Sequence, residues 1–261
     1  MTNKDCVIIE QKREIAWITL NRPEALNALN IEVLTSLSDI LDHVVKNNDC
    51  RAVVISGAGE KAFCAGADIK YMSKATPLQV RKFASLAVAV NHKIETLGKV
   101  VVAAINGYAL GGGLELAESC MLRIAVQKTQ LGHPEVRIGA VAGFGGTTRL
   151  SRLIGKGRAA ELLLTGKLIQ SELALDYGLV NKVVKTEKLI VETETLVEEI
   201  LSQAPIAVNL SWEAMHRGLN LTLEESAQLG ADYFGLVASS DDFRKGTSAF
   251  IAKETPSYSG K

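Results

Sequence analysis

Three consecutive glycines, Gly111-Gly112-Gly113, run into Leu114-Glu115-Leu116-Ala117, which has the pattern of a helix start. The first N–H groups of a helix have no acceptor within it, and they lie at the positive end of its dipole. Glycine lets a ligand approach that backbone closely. Such a turn would stabilise a developing oxyanion. It would equally cradle a phosphate, although the chain has no GxxxxGK[ST] run and GGG is not the GxGxxG spacing of a dinucleotide turn. Tight packing of helix on strand is the plain structural alternative. A second small-residue stretch, Ala62-Phe63-Cys64-Ala65-Gly66-Ala67-Asp68-Ile69-Lys70, also exposes backbone donors or serves packing. Glu115 stands beside the first stretch, and Glu135, in His133-Pro134-Glu135, follows the next strand. Each glutamate alone reads as a solvated surface acid. Together, beside donor-rich turns, they read as a pair that takes and gives protons.

The elements that must position these residues follow from hydrophobic period. Cys6 to Glu10 and Glu14 to Leu20 predict an opening hairpin turned at Gln11-Lys12-Arg13. From Ile31, apolar residues at Leu34, Leu37, Ile40, Leu41, Val44 and Val45 predict an amphipathic helix. Ala52 to Ser56 and Val100 to Ile105 read as strands, the second buried on both faces. Gly57 to Ala67 fits neither pattern. Pro77 to Leu97 predicts a helix with proline at its start, Leu122 to Val126 a strand, and Thr147 to Leu153 and Arg158 to Leu164 helices. Twice, strands give way to a glycine-rich turn and a helix, an α/β pattern of ββα-type units rather than a doubly wound nucleotide fold. Beyond Val184 only helices are predicted, over 186–203, 205–218, 223–238 and 242–252. A boundary at Ala204-Pro205 gives a core domain, 1–204, and a helical region, 205–261.

Lys plus Arg and Asp plus Glu each number 29, so no chain-wide field exists to draw in nucleic acid or an anionic membrane surface. No apolar stretch approaches the length of a membrane span, and Met1-Thr2-Asn3-Lys4-Asp5 carries no signal or transit pattern, so a cytoplasmic location is expected. Cys6, Cys50, Cys64 and Cys120 show no CxxC spacing and are read as reduced thiols. His43, His92 and His216 have no partners at ligand spacing, so no metal is expected.

Four segments, taken in order, carry a family resemblance: 21–29 (NRPEALNAL), 63–68 (FCAGAD), 106–115 (NGYALGGGLE) and 143–147 (GFGGT). Together they resemble the enoyl-CoA hydratase/isomerase, or crotonase, family over nearly the whole chain. The resemblance implies a crotonase-like spiral of ββα repeats, a C-terminal helical oligomerisation region, and a homotrimer or a homohexamer made as a dimer of trimers. It implies an acyl-CoA thioester as substrate and no separate cofactor, CoA being part of that substrate. Carried over residue by residue, the amides of Ala67 and Gly112 match the oxyanion hole. Ala65, Ala67, Asp68, Ile69, Lys70, Gly112 and Gly143 match the CoA and acyl contacts, and Glu115 and Glu135 match the hydratase glutamates. Phe250 and Lys253 resemble a tail segment that reaches a neighbour's CoA site.

Having both acids points, by the same resemblance, to hydration of a 2-enoyl-CoA. Family members that isomerise usually lack the first glutamate, and dienoyl isomerases place an aspartate where Gly143 stands. Glu115 would activate water and Glu135 would deliver the proton to C2. Three departures from the common pattern, His133, Ala142 and Thr148, bear on the acyl preference; a lone His133 reads as structural first, with shaping of the acyl pocket as the alternative. A specialised substrate such as a cyclic dienoyl-CoA is the alternative within enzymes. A non-catalytic acyl-CoA-binding subunit and an RNA-binding protein are the alternatives outside them; neither needs paired acids.

Overall fold

The computed structural model describes residues 5–261; Met1 to Lys4, part of the segment read above for targeting signals, lie outside the described residues. The opening hairpin pairs β1 (Val7–Lys12) with β2 (Ile15–Leu20), and Gln11 and Lys12, expected in the turn, extend β1 instead. The turn falls at Arg13, which takes the left-handed conformation at φ 53°. Helix α1 (Ile31–Lys46) begins where the Asn30 side chain accepts from Val33 N, and it buries Val33, Leu34, Leu37, Leu41 and Val44. Val45, counted in the apolar stripe, lies on the exposed side.

The chain then runs β3 (Ala52–Gly57), β4 (Ala62–Cys64), α2 (Ile69–Met72), α3 (Pro77–Glu95), β5 (Val100–Ile105), β6 (Tyr108–Leu110), α4 (Gly112–Ser119), β7 (Leu122–Val126) and β8 (Gln130–Gly132). A 3-10 turn over Glu135–Ile138 precedes α5 (Gly146–Ile154), α6 (Lys156–Thr165), β9 (Leu168–Gln170), α7 (Ser171–Asp176) and β10 (Lys182–Val184). Last come α8 (Leu189–Leu201), α9 (Pro205–Gly218), α10 (Leu223–Val237) and α11 (Asp241–Ala252). Five strands, β4, β6, β8, β9 and β10, occupy stretches that the hydrophobic pattern left unassigned or called turn. Each has three residues, too few to show a period of two.

Two sheets result. The larger has the order β1-β2-β3-β5-β7-β10 and is parallel from β2 onward; the smaller has the order β4-β6-β8-β9, parallel through β8. Each repeat sends its long strand to the first sheet and its short strand to the second, then forms a helix: β3-β4-α3, β5-β6-α4, β7-β8-α5. The ββα unit read twice from sequence therefore occurs three times. β5, at the centre, is buried along its whole length, as a parallel strand covered on both faces must be.

The chain forms two compact units, one up to Thr193 and one from Glu194 to Lys261. The division falls inside α8, upstream of the Ala204-Pro205 break, because Pro205 marks only the start of α9. In the second unit Thr222 closes a capping box on α10, and the Asp242 carboxylate accepts from Ser259 N and Gly260 N. Neither α9 nor α10 buries a residue, and Leu223, Phe234, Phe250 and Ile251 stand exposed. Among the described residues no helix is long and apolar enough to cross a membrane, and no cluster of His, Cys, Asp and Glu could hold a metal. The four cysteines are buried and free.

Candidate active site

The short parallel strands place the site. β4 pairs with β6 and β6 with β8, so all three end on the same side. Ala65 to Ala67 follow β4, Gly111 to Glu115 follow β6, and His133 to Glu135 follow β8. The amide of Gly111 donates to Gly132 O at 2.9 Å, joining the turn before α4 to the end of β8. Residues far apart in sequence thus meet at the carboxyl ends of neighbouring parallel strands, the usual place for a site in an α/β sheet. A cavity of about 770 Å³ opens there, lined by Ala65, Ala67, Ile69, Gly112, Glu115, Glu135 and Gly143 among others, with an apolar wall that includes Met72, Val80, Phe83 and Val141.

The two expected amides lie side by side. A β-carbon on Gly112 would stand 3.5 Å from Ala67 N, and 2.7 Å from the Phe144 ring. Around Ala67 the neighbouring amides are used in holding the loop: Ala65 N donates to Leu26 O and Asp68 N to Leu29 O. Among the described residues Ala67 N and Gly112 N have no such acceptor, and both residues border the cavity. Segment 21–29 is the backing. Asn27, buried at φ 57°, donates to Ala58 O and Ala62 O, and Arg22 pairs with Asp68 at 3.3 Å.

Asp68 and Lys70, expected at the ligand, do not line the cavity. The Asp68 carboxylate is engaged in capping α2, accepting from Lys70 N and Tyr71 N, and in the Arg22 pair. Lys70 is an exposed residue of that helix. Asp68 therefore supports the loop from behind.

Glu115 is buried, and its Oε1 accepts from Phe144 N and Gly146 N, both at 2.7 Å. The turn that supplies those donors is fixed from α3 and α5: Asn91 and Arg149 both donate to Phe144 O, and Arg149 binds Glu95 through two nitrogens. Burial pushes the Glu115 carboxyl up to about 7, against the lowering effect of the Gly146 amide and of His133, while Glu135 and Glu118 add to the rise. Glu135 lines the same cavity, and both its oxygens are buried with no hydrogen-bond partner among the described residues.

His133 does not line this cavity. Its side chain is fully buried, with Nε2 2.9 Å from Glu118 Oε1 and Nδ1 3.7 Å from Glu135 Oε1. Burial opposes its charge, yet the charge and hydrogen bond of Glu118, with help from Glu135, push the imidazole up to about 10. The Glu118 contact therefore favours the charged form of the imidazole. Glu118 escaped the sequence reading. The available signal was the Glu115-x-x-Glu118 spacing, which puts a second acid on the same face of α4.

An α/β fold whose strand ends gather two acids and two unused amides at one apolar cavity defines a class of site that can pass protons beside an oxygen gaining negative charge. The sequence profile described as enoyl-CoA hydratase/isomerase matches residues 10–261. The short-chain-enoyl-CoA hydratase of Clostridium acetobutylicum is 42% identical over 95% of this chain and 95% of its own. The crotonyl-CoA hydratase of Syntrophomonas wolfei is 40% identical over 98% of each. The crystal structure of the enoyl-CoA hydratase from Bacillus anthracis superposes with a TM-score of 0.94 at 39% identity, covering 98% of this chain and 100% of that one. This chain belongs to the enoyl-CoA hydratase/isomerase family.

Proposed function

We propose that this chain is an enoyl-CoA hydratase, which adds water reversibly and in the syn sense across the double bond of a 2-enoyl-CoA thioester to give a 3-hydroxyacyl-CoA. The observation that carries the reading is the convergence of Glu115, Glu135 and the free amides of Ala67 and Gly112 on one cavity.

Attack of water at C3 pushes electrons onto the thioester oxygen, where the Ala67 and Gly112 N–H groups would meet the growing charge. One such donor is worth about 3–4 kcal/mol of barrier in other enzymes. Glu115 takes a proton from water as its oxygen bonds to C3, and Glu135 gives a proton to C2. The pair keeps its total of protons: Glu115 has gained the one that Glu135 lacks, and its transfer from Glu115 to Glu135 resets them. Each proton transfer contributes on the order of 10²–10⁴ in rate. The apolar wall suits an acyl tail, and Arg81 and Arg137, both exposed at the cavity edge, suit the phosphates of CoA. CoA enters as part of the substrate, and no other cofactor takes part. The exposed apolar side chains of α10 and α11 support a trimer or a dimer of trimers, and Phe250 and Lys253 are proposed to reach a neighbour's CoA.

A screen of purified protein against 2-enoyl-CoAs of increasing chain length, following loss of absorbance of the conjugated thioester, tests reaction and substrate together. Turnover without added cofactor is expected for crotonyl-CoA or a longer homologue. Absence of turnover with every straight-chain substrate, and product only from a cyclic dienoyl-CoA, would favour the specialised alternative.

A further inference from the structure

Glu118 and His133 form a buried pair that the two acids and two amides do not explain. Both side chains are completely shielded from solvent at 2.9 Å. A buried ion pair is a poor stability device, since apolar side chains of similar size commonly serve as well or better. The second ring nitrogen does not face away from the site: it lies 3.7 Å from Glu135 Oε1. Gly146 closes the group, for a β-carbon there would stand 2.7 Å from His133 Cε1 and 2.9 Å from Glu115 Cγ. Three carboxyls and one imidazole therefore share a single buried space.

We propose that Glu118 and His133 are positioning residues for the dehydration direction of the reversible reaction: Glu118 holds His133 as a cation, and that cation orients the Glu135 carboxyl and leaves the proton shared by the acid pair on Glu115, the state from which Glu135 can take the C2 proton. This rests on Glu115 and Glu135 being the acid/base pair. The charges of His133 and Glu118 offset each other, and the reaction itself needs one proton shared between Glu115 and Glu135. Glu115 protonated with Glu135 ionised is the state in which hydration ends and dehydration begins: Glu135 removes the C2 proton while Glu115 protonates the departing hydroxyl. The raised affinity of buried Glu115 for its proton agrees with this distribution.

The remaining charges around the group are fixed. From β7, Arg123 donates to Leu179 O and Cys120 O. From α5, Arg149 is held by Glu95 of α3. Both guanidiniums stay charged throughout an enzyme assay, and the Cys120 thiol, pushed up to about 12 by burial, stays neutral. A change in pH profile is therefore traceable to the four groups.

The test compares Glu118→Gln, His133→Gln and the double variant. Each single change leaves one buried partner uncompensated and lowers stability; the double places a neutral hydrogen-bonded pair in the same space and recovers it. In the double variant the profile of kcat/KM for crotonyl-CoA moves to higher pH, because the cation removed faces Glu135 while the Glu118 anion removed with it lies on the far side of the ring; in His133→Gln, where that anion stays, the profile moves further. A double variant with wild-type stability and a wild-type profile would reduce the pair to packing and overturn the proposal. Imidazole nitrogen NMR gives a readout that needs no turnover: both ring nitrogens of His133 carry protons at pH 8 in the wild type, and only one does in Glu118→Gln. A neutral His133 in the wild type also overturns it. Failure of the hydratase reading would look different, as a wild type that turns over no enoyl-CoA while its His133 spectrum still reports the cation.

Discussion

A carboxyl that is buried yet bonded to two amides is pulled two ways. For Glu115 burial is the stronger pull, and it holds its proton up to about 7 rather than the ordinary 4.5. The sign of the consequence for folding is fixed. The native state binds more protons than the unfolded chain between those values, so this group's contribution is full below about 4.5 and is lost as pH rises through about 7. Glu115→Gln has no such dependence. The stability of this variant relative to wild type should increase from pH 5 to pH 8 by at most on the order of 3 kcal/mol, read by denaturant unfolding at each pH; a pH-independent difference would place the proton elsewhere. At Gly112 a β-carbon would drive into the Phe144 ring at 2.7 Å, and Phe144 N is a donor to Glu115. Gly112→Ala is expected to lose about 10²–10³ in kcat, with a smaller change in KM. The sequence made Glu115, Glu135 and the glycine turn legible, because an acid beside a run of three glycines is an uncommon juxtaposition. It hid Glu118 and the capping role of Asp68, since whether an acid faces a cavity or caps a four-residue helix is decided by contacts that no local pattern records.

At the scale of elements, long ones declared themselves. α1, α3 and β5 carry enough residues to show a period, and their caps, Asn30 and Thr76, sit where the pattern begins. The elements that assemble the site are the opposite kind. β4, β6 and β8 have three residues each, and they exist because their neighbours in the smaller sheet supply acceptors and donors. Their parallel register brings Ala67, Gly112 and Glu135 together, so the site was legible as a set of residues and not as a place. The turn over 143–146 depends in the same way on a distant partner. Arg149 joins Glu95 of α3 to Phe144 O, with both charged side chains mostly buried. Arg149→Met should cost about 3–5 kcal/mol and lower kcat as well, because the donors to Glu115 lose their anchor. Thermal unfolding and steady-state kinetics on the same preparation check both; an unchanged kcat would mean that the turn holds itself.

At the scale of the molecule, the second unit presents apolar side chains that the proposed assembly would cover. Leu223, Phe250 and Ile251 are each more than four-fifths exposed. Light scattering should give a mass three or six times that of the chain, and Leu223→Glu with Phe250→Glu should lower it; a monomer at assay concentrations would contradict the trimer-based assembly. The trimer-based assembly is an expectation from family resemblance alone, because which apolar side chains stay uncovered depends on the fold. The account as a whole stands on Glu135 acting on the substrate's C2 beside the Ala67 and Gly112 amides. The direct test is crotonyl-CoA hydration by wild type and by Glu135→Gln, with folding of the variant verified by circular dichroism. The account predicts wild-type turnover and a loss of at least about 10² in the variant. Equal turnover by a folded Glu135→Gln protein would contradict it.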